Sequence, residues 1–162
     1  MRRVLGLSLA AFALVVDQAS KLYVTRGFES GVLDAGPFLP FIDLALRANR
    51  GISFSLLRQD GALGAALLTA FSLAVVAYLG VWLWRTTSRA TSAGLGLIIG
   101  GALGNAGDRF AHGAVVDFLD LHAFGRHLFV FNVADAAISA GVALLIGEGL
   151  GSERVRKQPP KP

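Results

Sequence analysis

The hydrophobic positions of this chain fall into four long runs, separated by segments of mixed polarity. Each run approaches the ~20 apolar residues that a helix needs to cross a bilayer. The pattern therefore predicts four transmembrane helices, at residues 4–24, 61–84, 93–110 and 130–147. The first run follows Arg2 and Arg3, as in a secretory signal peptide, but it ends in a charged segment rather than in a small-residue cleavage site. A cleaved signal peptide is therefore the less favoured interpretation of that run.

The segment between the first two runs has a different period. Apolar residues alternate with other residues at 42–49 and again at 52–56, and an Asn-Arg-Gly turn lies between the two stretches. A period of two is typical of strands with one buried face, and Gly36-Pro37 indicates a further turn. We expect a small sheet at about residues 31–58 that lies on the membrane surface. The predicted fold class is a membrane all-α protein with a small β element.

Small residues mark one face of the third predicted helix. Gly96, Gly100 and Gly104 recur every four residues, which permits close approach of a neighbouring helix. The chain has no internal repeat, and we expect one domain at residues 1–150. A basic, proline-containing tail at 151–162 is predicted to be disordered.

Composition supports this interpretation. Of the 162 residues, 54% are hydrophobic and only 16% are charged, and the mean hydropathy is +0.59. The net charge of +4 would suit nucleic-acid binding in a soluble protein. Here the basic residues flank apolar runs without interleaved exposed aromatics, so we expect no nucleic-acid partner. The chain contains no cysteine, which excludes disulfides, thiolate catalysis and cysteine-ligated metal.

The basic residues also predict the orientation in the membrane. With four spans, the basic residues that flank them fall on one side, and the positive-inside rule makes that side cytoplasmic. Both termini are then cytoplasmic, and segments 25–60 and 110–129 are extracytoplasmic. We expect segment 110–129 to form a loop. The residues behind this prediction are Arg2, Arg3, Arg85, Arg89, Arg154, Arg156, Lys157 and Lys161.

Polar residues that are costly in lipid gather at the extracytoplasmic ends of the predicted spans. Such residues are functional candidates by default, and here they include Asp17, Lys21, Asn49, Asn105, Asp108, Arg109, Asp117, Asn132 and Asp135. Two carboxylates held close together at the edge of a low-dielectric phase share a proton. One carboxylate takes a proton from an attacking water while its protonated partner polarises the carbonyl. Such a pair is the catalytic group of an aspartyl hydrolase.

Simpler interpretations stay open for several of these residues. Asp17 and Lys21 are four residues apart and could neutralise each other on one helix face. Asp108 or Asp120 could form an interfacial ion pair with Arg109, the interpretation that we favour for those two aspartates. Asp135 with Asn132 could serve only to begin a helix.

The polar residues also allow functions different from hydrolysis. The three histidines show no metal-ligand spacing that would favour a metal site. A transporter with a proton relay would use intramembrane Asp, Asn and Lys, but it predicts polar residues through the whole membrane depth. A structural helix-packing subunit would explain the glycines but not the acids.

Five motifs together resemble those of bacterial lipoprotein signal peptidase, or signal peptidase II, in order and over nearly the whole chain. They are DQASK at 17–21, NRGISFSLL at 49–57, GGALGNAGDR at 100–109, VVDF at 115–118 and FNVADAAI at 131–138. The sequence departs from the usual pattern at Ser53 and at Ala106-Gly107. Both departures lie off the catalytic positions.

This resemblance implies a four-span aspartic endopeptidase of the bacterial inner membrane, with its active site at the extracytoplasmic face. Such an enzyme removes the signal peptide of lipidated prolipoproteins before the diacylglyceryl-modified cysteine, within membrane lipid, and needs no cofactor or metal. The resemblance implies inhibition by globomycin, and we expect a monomer. It makes Asp117 and Asp135 the catalytic pair, and implies that the site is supported or lined by Asp17, Lys21, Asn49, Asn105, Arg109, Asn132 and Ala134.

Overall fold

The computed structural model describes residues 2–51 and 62–156. Within these ranges the chain forms a helical bundle with one four-stranded sheet. The helices are α1 (Arg2–Glu29), α2 (Ala62–Arg85), α3 (Arg89–His112) and α4 (Val133–Arg156). The strands are β1 (Gly36–Leu39), β2 (Ile42–Asn49), β3 (Val115–Ala123) and β4 (Arg126–Phe131).

Three of the described helices, α1, α2 and α4, are long and apolar enough to cross a membrane. On the outer face of α2, large apolar and aromatic side chains are exposed: Leu63 is 73% exposed, Phe71 66% and Tyr78 70%. A stripe of this kind would be unfavourable in water and suits contact with lipid acyl chains. The prediction of a mostly helical membrane protein with a small sheet is confirmed at this level.

Helix α3 lies at the centre of the bundle and packs against the other three helices. A Cβ atom added at Gly96 would collide with the backbone of Gly6, and one added at Gly100 with the carbonyl oxygen of Ala10. Glycine is therefore required along this seam because the α1 backbone lies directly against that of α3. The close packing predicted from the glycine spacing is confirmed.

One end of the bundle is held by contacts between helix ends. Arg3 donates from Nε to the carbonyl oxygen of Trp84 at 3.1 Å, and its guanidinium lies 4.9 Å from the centre of the indole ring. Ser88 caps α3 by accepting from the backbone N–H of Thr91 and donates to Glu148 at 2.7 Å. The start of α1, the end of α2, the start of α3 and the later part of α4 therefore lie at the same end.

The sheet is antiparallel throughout, in the order β1-β2-β3-β4. Strand β2 occupies the predicted stretch at 42–49, and Gly51 donates its backbone N–H to the side chain of Asn49 in the predicted turn. The turn predicted at Gly36-Pro37 is wrong, because both residues belong to β1. Pro37 is tolerated there because β1 is an edge strand, where a missing N–H breaks no ladder.

The loop predicted at 110–129 is also wrong. Helix α3 continues to His112 and ends at Gly113, which has the left-handed φ of 72° that favours glycine. The β3–β4 hairpin follows, and β3 pairs with β2 from a distant part of the chain. That long-range pairing, rather than a strong local alternation, makes β3 a strand.

Two predictions concern the limits of the described chain. The strand predicted at 52–56, and the departure at Ser53, lie outside the described residues. The tail predicted to be disordered from 151 is corrected in part, since α4 continues to Arg156. No proline interrupts the helix before Pro159, so its hydrogen-bonding pattern can extend past the apolar run.

Candidate active site

A buried ion cluster lies between α1 and α3, at the end of the bundle nearest the sheet. Lys21 is 4% exposed, and its Nζ lies 2.8 Å from Asp17 Oδ2 and 2.8 Å from Asp108 Oδ2. Lys21 Nζ also donates to Asn105 Oδ1 at 3.0 Å. The i, i+4 pairing of Asp17 and Lys21 is confirmed, but the lysine neutralises a second carboxylate on another helix as well.

Asp117, on β3, accepts hydrogen bonds at both carboxylate oxygens. Asn49 at the end of β2 donates to Oδ2 at 2.8 Å, and Asn132 donates to Oδ1 at 2.7 Å. The β2–β3 register sets Asn49 opposite Val115, two residues from Asp117. The sheet and the segment that enters α4 thereby hold the Asp117 carboxylate in one orientation.

Asp135 lies in the first turn of α4. Asn132 caps this helix, because its side-chain oxygen accepts the backbone N–H of Asp135 at 3.0 Å. Asn105 of α3 donates to Asp135 Oδ1 at 2.9 Å. The interpretation of Asn132 as a helix-starting device is therefore confirmed, but the same side chain also contacts Asp117.

Two asparagines connect the two aspartates. Asn132 donates to Asn105 Oδ1 at 3.1 Å, so Asp117, Asn132, Asn105 and Asp135 form one continuous hydrogen-bonded chain. Because Asn105 Oδ1 also accepts from Lys21, its amide group has a single orientation, with the nitrogen directed to Asp135. Helices α3 and α4 and strand β3 thus converge on the pair.

Two further contacts fix the surrounding backbone. Ala134 is fully buried and donates its N–H to Asp17 Oδ1 at 2.9 Å, which ties the start of α4 to α1. Arg109 donates from Nη2 to the carbonyl oxygen of Gly51 at 2.9 Å, and its charge acts on Asp135 and on Asp117. Every residue that the resemblance implied for the site therefore belongs to one connected group.

The environment of Asp117 favours the protonated acid. The pKa of Asp117 is raised from 3.8 to about 6, and burial is the largest cause of this rise. The hydrogen bond from Asn49 opposes this rise because it stabilises the carboxylate, whereas the negative charge of Asp135 adds to it. Asp117 can therefore exchange a proton at a pH close to neutral, as a general acid or base must.

The interfacial ion pairs predicted between Arg109 and Asp108 or Asp120 need correction. Asp120 is 4% exposed and lies 3.0 Å from His127 Nδ1, so it is neither at the surface nor an ion-pair partner of Arg109. Asp108 forms its ion pair with Lys21 instead and accepts the backbone N–H of Val116 at 3.2 Å. These pairings depend on how α1, α3 and the β3–β4 hairpin fold together, and spacing alone could not predict them.

Sequence reasoning also missed Gln18. Its Nε2 donates to Asp108 Oδ1 at 2.9 Å, to Asp17 Oδ2 at 3.1 Å and to the carbonyl oxygen of Gly104 at 3.3 Å. Its position beside Asp17, in a motif of polar residues within an apolar run, was the available signal.

A cavity of about 690 Å³ opens beside Asp117, between the ends of β2, β3 and β4. Arg47, Asn49 and Gly51 line one side, and residues 127–130 line the other. The cavity is large enough for several residues of a peptide. Over the described ranges, no three His, Cys, Asp or Glu side chains are arranged to hold a metal ion.

Comparison with known proteins places the chain in a family. The sequence model of the family described as Signal peptidase (SPase) II matches residues 9–150. The lipoprotein signal peptidase of Beijerinckia indica subsp. indica is 49% identical over 152 residues, which cover 93% of this chain and 90% of that protein. The lipoprotein signal peptidase of Methylorubrum extorquens (strain PA1) is 50% identical over 145 residues, covering 90% and 85%.

Solved structures show the same fold. A bacterial membrane enzyme determined by the in meso method at 2.3 Å resolution superposes with a TM-score of 0.73 at 24% identity, covering 97% of this chain and 93% of that chain. A second such structure, at 1.9 Å, gives the same TM-score and identity over 90% and 92%. The apolar helices, the buried carboxylates and these similarities lead to one conclusion: the chain belongs to the signal peptidase II family of lipoprotein signal peptidases and is a membrane peptidase.

Proposed function

We propose that Asp117 and Asp135 are the catalytic pair of an aspartic endopeptidase that cleaves prolipoproteins before the lipid-modified cysteine. The observation that carries this proposal is the hydrogen-bonded chain through Asn132 and Asn105. It holds two carboxylates from different elements at one junction, where Asp117 lines an open cavity. The family's curated members are named for lipoproteins, which supports this substrate class.

The proposed reaction needs one proton on the pair. The ionised carboxylate takes a proton from water, and the water oxygen attacks the carbonyl carbon of the scissile peptide bond. The protonated partner donates to the carbonyl oxygen, which gives a tetrahedral diol. The first carboxyl, which now carries the proton from water, gives it to the leaving nitrogen as the C–N bond breaks, and the diol returns one proton to the partner carboxylate as the carbonyl re-forms. The raised pKa of Asp117 supports a shared proton near neutral pH. Arg109 and Lys21 lie close enough to limit the total negative charge.

The distribution of buried charge argues against a proton pathway. Among the described residues, the buried acids and the buried lysine all lie at the sheet end of the bundle. An apolar cluster fills the bundle beyond them, and includes Leu83, Leu95 and Ile99. A relay would require ionisable groups through that region.

Replacement of either aspartate tests the proposal. Asp117→Asn and Asp135→Asn keep the size and hydrogen-bonding capacity of the side chain but cannot exchange a proton. We expect each to reduce turnover of a purified lipidated prolipoprotein by about 10³-fold or more, with the fold intact. Asp34→Asn is the matched control, because Asp34 is exposed and precedes β1; it should cleave normally. Near-normal turnover by either pair variant would remove that residue from the mechanism.

We further propose that α3 also crosses the membrane, which with α1, α2 and α4 gives four spans, and that both termini are cytoplasmic. The contacts of Arg3 with Trp84 and of Ser88 with Glu148 support this, because they gather the basic helix ends on one side of the bundle. The active site is then at the extracytoplasmic face of the inner membrane. Since the chain lacks cysteine, single cysteines at Ser30 and Thr87 test the orientation with an impermeant thiol reagent. Labelling of both from the same face would refute it.

The resemblance also implies inhibition by globomycin. We propose that this peptide antibiotic occupies the cavity beside Asp117, since a peptide there would exclude the substrate. Globomycin should then raise the KM for the lipidated precursor without changing kcat.

A further inference from the structure

A second carboxylate borders the cavity beside Asp117, and the proposed reaction does not use it. Asp120 lies three residues further along β3 and lines the same cavity as His127 of β4. Asp120 Oδ2 lies 3.0 Å from His127 Nδ1. The two side chains therefore form a pair across neighbouring strands, on the cavity wall.

The two members of this pair differ sharply in exposure. The side chain of Asp120 is 5% exposed, whereas that of His127 is 73% exposed. Asp120 Oδ1 is buried and has no hydrogen-bond partner among the described residues. Buried carboxylates are normally satisfied at both oxygens, so His127 is an important partner of the Asp120 carboxylate.

The hydrogen bond to Asp120 determines which ring nitrogen of His127 carries the proton. An ionised carboxylate only accepts, so Nδ1 must carry the proton that is shared with Asp120. In the neutral imidazole, Nε2 then has a free lone pair and no hydrogen. Asp120 thus fixes the tautomer and the orientation of the ring and leaves an exposed acceptor at Nε2.

The other polar side chains of the cavity are donors, or acceptors that already hold a hydrogen bond within the protein. Arg47 and Arg50 can only donate, and they suit the carbonyl oxygens of a peptide. The side-chain oxygen of Asn49 already accepts from Gly51, and both oxygens of Asp117 accept hydrogen bonds. Among the described cavity side chains, His127 is the exposed one whose acceptor atom, Nε2, holds no hydrogen bond within the protein, so it is available to an N–H of a bound peptide.

We propose that His127 is a substrate-binding residue that accepts a main-chain N–H of the precursor peptide near the scissile bond. Asp120 is the positioning residue that holds its ring. This inference rests on the proposed function, because it identifies how that same site binds the peptide portion of its substrate. A peptide that lies along the cavity offers an N–H at every non-proline residue.

The same sheet contains a matched control. His122 of β3 forms a similar pair with Asp43 of β2, with Nε2 and Oδ1 3.1 Å apart. Both of these side chains are partly exposed, and neither lines the cavity. The two histidines thus share the same chemistry, but only His127 is positioned to touch substrate.

Steady-state kinetics on the full-length protein, with a lipidated prolipoprotein, test the proposal. One hydrogen bond corresponds to about a three- to tenfold change in affinity. We expect His127→Ala to raise KM by about that factor with kcat within about twofold, because a binding contact is lost and the chemistry is not. His127→Gln retains an acceptor oxygen, so its KM should lie close to the wild-type value. His122→Gln should have the wild-type KM.

Several results would overturn the inference. They are an unchanged KM in His127→Ala, a His127→Gln variant as impaired as His127→Ala, or an equal effect of His122→Gln. A loss confined to kcat would also overturn it, since that result would place His127 in the chemical step. Asp135→Asn, assayed in parallel, separates the two proposals. If the wild type cleaves and Asp135→Asn does not, the proposed function stands whatever the histidine variants do.

Discussion

The seam between α1 and α3 allows a quantitative prediction from a single methyl group. Gly100→Ala adds a Cβ on the face of α3 that packs against the α1 backbone. That atom would collide with the carbonyl oxygen of Ala10 and would lie 2.9 Å from the Cβ of Ala13. Both neighbours belong to α1, and the nearer is rigid backbone, so no side-chain rotation relieves the contact.

The size of the required shift follows from these contacts. Ordinary van der Waals contact begins at 3.4 Å, so relief of the 2.9 Å contact alone separates the helices by about 0.5 Å. Overpacking on this scale costs about 1–3 kcal/mol. We expect the upper part of that range because the collision with the backbone must be relieved too. We also expect turnover to fall by about tenfold or more, since α1 supplies Asp17 and Lys21 to the site.

The assay is unfolding of the purified protein in mixed detergent micelles, with turnover of a lipidated precursor measured alongside. Gly107→Ala is the matched control on the same helix, because Gly107 is exposed and a Cβ there meets nothing within 4 Å. It should stabilise the protein by about 0.5–1 kcal/mol, as replacement of an unconstrained helical glycine does. A Gly100→Ala variant as stable as Gly107→Ala would refute the packing argument.

Two further predictions concern charge. Asn49→Ala removes a hydrogen bond that stabilises the ionised form of Asp117, so it raises the pKa of that carboxyl further. If activity needs a shared proton, the alkaline limb of kcat moves to higher pH; a downward shift between about pH 5 and 9 would contradict this. Lys21→Met leaves the buried carboxylates of Asp17 and Asp108 unpaired and should cost about 3–5 kcal/mol. A loss below about 1 kcal/mol on unfolding would show that the lysine neutralises neither acid.

The sequence alone determined the membrane class and the positions of the helices. Apolar runs of this length have few alternatives, because every backbone polar group in lipid must be satisfied within its own segment. The glycine spacing predicted close packing of another helix on α3 for a related reason, since only residues without a bulky side chain allow two backbones to touch. That α1 is this helix came from the structure. These properties are local, and a single stretch of chain displays them.

The hairpin and the roles of individual acids depended on tertiary structure. Strand β3 forms because β2, from a distant part of the sequence, pairs with it. Asp108 and Asp120 were predicted to pair with Arg109, yet burial against Lys21 and His127 gives each a different partner. The sequence indicated that polar residues gather at one end of the bundle. Only the fold decided that Asn132 and Asn105 connect Asp117 to Asp135, because side-chain partners depend on which elements meet in space.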